Sequence, residues 1–372
     1  MSLFSRAITP TTSHRVRHSL RLARLVASRK MTIPTTRQAI GFNQTGDFDV
    51  LEKVTVPLKV GAGQIVVKTE YLGINFIDTY YRKGLYPVTE FPAVLGTEAS
   101  GTIIALPTDT DVLADPEYKK RGYAVGAKVV VGGAGNFGLH ASWLSVPWKI
   151  VHLLPNKVST QIGAASLLQG LTALTFVEEA HKVKKGETIL VHTVAGGLGL
   201  LFAQMIKARG ATVIGTTSTK EKAELAKANG ADHVILYKEE DTVLRVLELT
   251  NGVGVDAVFD GVGKDTFDSN FKMLKRKGTL VSVGNASGAV PPMAPIRLVE
   301  KNLKLLRPTV GNYAQTPEEL HYYTTELYNM IASGKLNIRV HKEYPFTAEG
   351  AKEAQKDLTG GKTTGKLLIK VD

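Results

Sequence analysis

Val194-Ala195-Gly196-Gly197-Leu198-Gly199 has the spacing of a glycine-rich phosphate-binding turn, with valine at the first of its three fixed places. In such a turn Gly196 lets backbone approach a pyrophosphate and Gly199 lets the next helix pack closely on the strand. The helix N-terminus, here Gly197, Leu198 and Gly199, offers unpaired N–H groups to the anion. Context decides whether the string has meaning. Residues 188–192 read as a strand before the turn, 198–209 as a helix after it and 212–216 as a second strand, all within about 30 residues, as a dinucleotide site requires. At the end of the second strand an NAD-selective site places Asp or Glu for the ribose hydroxyls. Here Thr216, Thr217 and Ser218 stand there, with Lys220 and Lys222 following, so a 2′-phosphate would meet hydroxyls and cations instead of like charge. This pattern predicts NADPH.

Other chemistries fall away on residue type. The chain contains no cysteine, which excludes disulfides, thiolate nucleophiles, cysteine-held iron–sulfur clusters and cysteine-ligated zinc. Among nine histidines the only pair at helical metal-ligand spacing is His14 and His18, in a basic N-terminal segment. His192, at a strand end beside the turn, reads as structural, and no histidine is given a catalytic role. Gly360-Gly361-Lys362-Thr363-Thr364-Gly365-Lys366 has the glycine and lysine spacing of a nucleoside-triphosphate loop. However, Leu367 stands where Ser or Thr would hold magnesium, and the stretch precedes an apolar run instead of opening a helix.

The elements that must position the turn follow from periodicity. Apolar strands at 188–192, 212–216, 233–236, 256–260 and 279–283 alternate with helical patterns at 198–209, 220–229, 239–250 and 265–275, predicting a doubly wound parallel sheet. Before it, residues 37–155 show short β-like runs at 64–69, 102–104 and 128–131 broken by Gly and Pro, which predict a mostly β domain. The last apolar run, 366–370, most simply rejoins that domain. A length of 372 residues exceeds what one core usually carries, and 43% hydrophobic with 22% charged residues is ordinary globular composition. No apolar run reaches the ~20 residues needed to cross a bilayer.

The formal charge of +12 is concentrated at one end. Residues 1–30 hold Arg6, Arg15, Arg17, Arg21, Arg24, Arg29 and Lys30 and no acid. Arg17, Arg21 and Arg24 share one helical face while Val16, Leu20, Ala23 and Ala27 share another, the pattern of a mitochondrial targeting segment. Met31 offers a second start that would give a cytosolic form.

The segment from Gly73 to Pro87, containing Asn75, Asp78, Tyr80 and Tyr86, together with Phe91-Pro92 and Leu95-Gly96-Thr97-Glu98, resembles the zeta-crystallin-like NADPH:quinone oxidoreductases, zinc-free medium-chain reductases. Ala165–Thr172, Asp260–Gly263, Gly284–Gly288 and Arg307-Pro308 extend the likeness over residues 35–372. The resemblance implies an α/β chain with a GroES-like domain, 31–156 and 305–372, and a Rossmann domain, 157–304, after a targeting segment at 1–30. It implies that Asn75, Tyr80 and Tyr86 line the nicotinamide and quinone pocket, that Asn285 lies beside the nicotinamide, and that Lys222 and Tyr237 bind the 2′-phosphate with Thr217 and Ser218 near. Asp78 is as apt to order its loop as to act on substrate. Zinc-dependent relatives carry Gly-His-Glu where this chain has Gly96-Thr97-Glu98, so no metal is expected.

Three departures stand out. Gly126-Ala127-Lys128-Val129 replaces the usual Gly-Asp-x-Val, residues 107–123 look like a surface insertion, and Gly360-Gly361-Lys362 stands where relatives place an arginine on the 2′-phosphate, so that Lys362 is the candidate substitute. The implied reaction is NADPH-dependent quinone reduction by hydride or one-electron transfer. Reduction of enoyl thioesters or α,β-unsaturated carbonyls is the alternative. Family members that bind RNA suggest a second activity for the clusters Lys182, Lys184, Lys185 and Lys275-Arg276-Lys277. A homodimer through the last Rossmann strand, near 278–292, is also implied.

Overall fold

The computed structural model describes residues 32–133, 135 and 137–372. The basic segment of residues 1–30, with its expected helix, lies outside them, as does Met31. Six strands form the parallel sheet, ordered His233–Leu236, Thr212–Thr217, Thr188–Val191, Val255–Asp260, Leu274–Ser282 and Lys304–Leu306. Five were expected. The sixth, Lys-Leu-Leu, is too short for a periodic signal and is recruited by pairing beside residues 279–281. It corrects the expected edge: residues 279–281 have strand partners on both sides, so Lys304–Leu306 is the outer strand. The order reverses at Thr188–Val191, and in such a sheet a ligand binds at the carboxyl ends of the strands flanking that reversal.

The helices begin where side chains satisfy their first amides. Thr219 accepts from the Lys222 amide ahead of Lys220–Ala228. Asp241 accepts from the Leu244 amide, so the helix expected from residue 239 spans Thr242–Leu249. Gly210 and Gly230, with φ of +77° and +102°, end the helices before them in the left-handed conformation.

The mostly β half forms a second sheet, ordered Val340–Pro345, Lys366–Lys370, Gln64–Ile74, Glu98–Ala105, Lys128–Gly132 and Val151–Leu153, with Trp143–Pro147 also on Gln64–Ile74. Lys366–Lys370 pairs antiparallel to Gln64–Ile74, Leu367 opposite Ile74, so the C-terminal run does return to the first sheet. Helix Thr160–Thr175 packs against both sheets. Leu167, Leu171 and Leu174 join the core of the parallel sheet, while Ala164 and Ala165 pack on Leu368. Residues 34–372 form one compact unit.

Residues 107–123, expected as a surface insertion, lie mostly at the surface and are anchored to it. They form two short helices, Thr110–Ala114 and Pro116–Arg121, and bury Tyr118 and Arg121. The Tyr118 ring meets Trp148 edge-on at 5.7 Å, and the Tyr123 hydroxyl donates to the Trp148 and Val151 carbonyls. These aromatic contacts are long-range in sequence and leave no local periodic trace.

Candidate active site

The glycine-rich turn sits at the switch point, between the carboxyl end of Thr188–Val191 and helix Gly197–Ala208. A Cβ on Gly199 would lie 2.4 Å from the Thr193 carbonyl oxygen, so only glycine lets the helix come this near. Valine at the first place is compensated across the sheet. Val194 is fully buried, and a Cβ on Gly215 of the next strand would lie 2.3 Å from its Cγ1, so the missing side chain is in the neighbour. Gly197 faces Gln169 and the Gly365 carbonyl, which close over the turn. Leu198 lies in the first helical turn with its side chain against the core, leaving its backbone as the part available to a phosphate. His192 is structural: its ring bridges Thr216 Oγ1 at 3.0 Å and Asn270 Oδ1 at 2.8 Å, and Asn270 donates to Asp260.

At the end of the second strand, Tyr237 donates its backbone N–H to the buried Thr217 carbonyl, placing it beside Ser218. Lys222 Nζ donates to the Gly361 carbonyl at 2.6 Å, tying the candidate cation to the loop that holds Lys362. Burial and the neighbouring charge of Lys238 lower the Lys222 pKa, as expected of cations gathered where an anion is wanted. Thr217, Ser218, Lys222, Tyr237 and Lys362 therefore converge. Lys238 was missed, although it directly follows Tyr237.

Away from the turn, Tyr80 on helix Phe76–Arg82 lies beside the Asn285 backbone, which follows strand Leu274–Ser282 of the parallel sheet. Burial raises its pKa, while the Asn285 backbone and the Arg307 guanidinium pull it down. Arg307 is itself anchored on the Ser282 carbonyl at 2.7 Å. The Tyr86 ring packs edge-on against Tyr80 and Tyr81, both at 5.5 Å between centroids. Tyr80, Tyr86 and Asn285 are thus brought together across the crevice, and Arg307 joins them, a residue noted only within a motif.

Asn75 is tied into the protein by its side chain. Its Nδ2 donates to Glu98 Oε1 at 2.8 Å, Thr97 Oγ1 at 3.1 Å and the Gly73 carbonyl at 3.2 Å, while its Oδ1 accepts from Lys366 Nζ at 2.6 Å. Its amide hydrogens are committed within the protein, so the residue orders the pocket wall instead of offering those donors to a ligand. Glu98 completes the cluster: Oε1 also accepts from Lys366 Nζ at 2.5 Å, and Oε2 accepts from the Leu168 amide at 2.7 Å. Asp78 Oδ2 accepts from the Asn75 amide, and burial pushes the Asp78 carboxyl up to about 7. The His140 ring donates through Nε2 to the Gly73 carbonyl at 3.0 Å, and burial pushes its pKa down to about 4.

This donor set does not fit zinc. The Glu98 carboxylate already takes an ammonium and two N–H groups, and His140 Nε2 is spent on a carbonyl. Lys366 occupies the place of a cation, with its side chain 1% exposed. The same lysine disposes of the apparent triphosphate loop, because it points to Glu98. Its role was missed because its partner lies 268 residues away.

Two family models match, the alcohol dehydrogenase GroES-like domain over residues 61–156 and the zinc-binding dehydrogenase model over 197–325. Together they define the medium-chain dehydrogenase/reductase class. A probable quinone oxidoreductase of Schizosaccharomyces pombe is 40% identical over 88% of this chain and 95% of its own length. The quinone oxidoreductase of Escherichia coli, solved in complex with NADPH, superposes with a TM-score of 0.82 at 36% identity, covering 90% of this chain and all of that one. A 2-haloacrylate reductase of a Burkholderia species is 33% identical over 83% of this chain and 91% of its own. The chain belongs to the quinone oxidoreductases, the zinc-free branch of that class.

Proposed function

We propose that the protein reduces quinones with NADPH and without zinc. The observation that carries this reading is the meeting of Tyr80, from the mostly β half, with Asn285 and Arg307, from the parallel sheet, at the far end of a crevice whose near end holds the phosphate-binding turn. Bound NADPH supplies a hydride from its nicotinamide ring. The amides at the start of helix Gly197–Ala208 hold the pyrophosphate, and Lys222, with Lys238, Lys362 and the Thr217-Ser218 turn, meets the 2′-phosphate. Tyr80, kept protonated by burial, donates a hydrogen bond to a quinone oxygen, and Arg307 stabilises negative charge growing there. The Tyr86 ring, packed on Tyr80 and Tyr81, screens the acceptor from water.

The test is nicotinamide oxidation by purified protein with NADPH or NADH, and with a small quinone or an enoyl thioester. NADPH-selective turnover of the quinone is expected. Preference for the thioester would transfer the site to activated alkenes, a reading that the 2-haloacrylate reductase relative favours.

Three further readings join the proposal. Lys182, Lys184, Lys275 and Lys277 line one groove of about 360 Å³ with Lys304, so the two basic clusters converge, which supports RNA as a second ligand. Glu179, Glu187 and Asp256 line the same groove and limit its charge; absence of RNA binding at low salt removes this reading. A homodimer would pair through the Lys304–Leu306 edge, near exposed Ile296 and Val299, and mass measurement in solution decides it. The basic segment 1–30 would direct the chain to mitochondria, with a cytosolic form from Met31, as tagged full-length and shortened chains would reveal in cells.

A further inference from the structure

We propose that the protein has a second site, for a compact oxyanion of the phosphate kind, in a cavity between helix Pro116–Arg121, strand Val151–Leu153 and helix Pro317–Ala332. The cavity measures about 150 Å³; Lys120, Arg121, His152, His321 and Thr324 are in its wall and no acidic side chain is. Arg121 is 7% exposed, His152 4% and Thr324 2%. Arg121 Nε and Nη1 and Thr324 Oγ1 keep no hydrogen-bond partner, and the His152 ring has only the Gly132 backbone near enough to raise its pKa. Arg121, His152 and Thr324, which line this one cavity, account for more of the unpartnered buried side-chain atoms among the described residues than any other place in the fold. Buried polar atoms are almost always satisfied, and a cluster of exceptions calls for an explanation such as a bound ion.

The unsatisfied groups are matched in kind. The guanidinium can only donate, the hydroxyl can donate, and a protonated imidazole donates at both nitrogens. Arg121 is held for this purpose by its own contacts, Nη2 to the Pro317 carbonyl at 3.2 Å and the guanidinium 5.7 Å from the Trp148 ring. Positive charge in the cavity is met by one carboxylate at its edge, Glu117, which lies 3.8 Å from Lys120. Burial and then Arg121 push His152 down to about 3, and burial, Arg121 and Lys120 lower His321, with Glu117 alone opposing. An anion would reverse these shifts.

Size selects among anions. At about 150 Å³ the space holds a compact oxyanion and is below the ~300 Å³ where organic ligand pockets begin. The lining shares no residue with the crevice assigned to NADPH, so the site is independent of that reading.

Titration calorimetry of the full chain with inorganic phosphate, at constant ionic strength and in a Lys222→Ala background, tests the site without interference from the 2′-phosphate cations. One phosphate per chain is expected, bound at least tenfold tighter than acetate, with the His152 ring resonances shifting on saturation. Arg121→Met and the near-isosteric Thr324→Val should each weaken it at least tenfold. Absence of saturable binding, equal binding of acetate, or full binding by a folded Thr324→Val chain overturns the proposal.

Discussion

Lys222 is the residue on which cofactor choice turns. Lys222→Glu would put like charge against a 2′-phosphate while leaving the turn at Gly196–Gly199 intact. The KM for NADPH should rise at least tenfold and that for NADH change little, as initial rates with the two cofactors would show. Tyr80→Phe removes the phenol and keeps the ring packed on Tyr86. It should lower kcat for a quinone about tenfold, the worth of one hydrogen bond made as charge develops, with the KM for NADPH unchanged. Asp78 sets a pH dependence. Its folded pKa, about 7, lies above the ordinary 3.8, so the folded chain holds the proton more tightly. That contribution to stability is complete below pH ~4, falls as pH rises and is lost above ~7, and amounts to about 4 kcal/mol at most. His140 acts oppositely, its contribution being full above its ordinary 6.5 and lost as pH falls towards 4. Asp78→Asn should therefore be more stable than the parent at pH 8 and not at pH 4, a comparison that urea midpoints can make.

Two elements carry compensations that can be tested as pairs. Strand Thr212–Thr217 makes room at Gly215 for Val194, so Gly215→Ala should cost about 1–3 kcal/mol by overpacking, and Val194→Ala should recover part of it. Additive losses in a double-mutant cycle would show that the two positions are not coupled. Strand Lys366–Lys370 delivers Lys366 to Glu98 in a fully buried pair. Lys366→Met leaves that carboxylate without its cation and should destabilise by about 3–5 kcal/mol, whereas adding Glu98→Gln should restore much of the loss, because a neutral pair has less to desolvate.

Across the whole molecule, what could be read in advance followed the range of the interaction. The alternation that builds the parallel sheet and the strand–turn–helix at Gly196–Gly199 are local patterns, and they appear within a few residues of where periodicity puts them. Lys304–Leu306 was invisible because three residues hold no period, and the burial of Tyr118 and Arg121 because Trp148 is supplied from another segment. In the site, Thr217 and Lys222 stand out by residue type at a strand end, whereas Tyr237 enters only through the family resemblance. The commitment of Asn75 to Glu98 and Lys366 was not legible, since it depends on three segments meeting inside the protein. That meeting also has an order in time. On the ribosome Glu98 is made 268 residues before Lys366, and the strand that must lie beside Gln64–Ile74 is made after both sheets' other strands. Until it arrives, the first sheet has an open edge and an acid without its cation, the kind of unpaired strand that invites aggregation in a chain still being made.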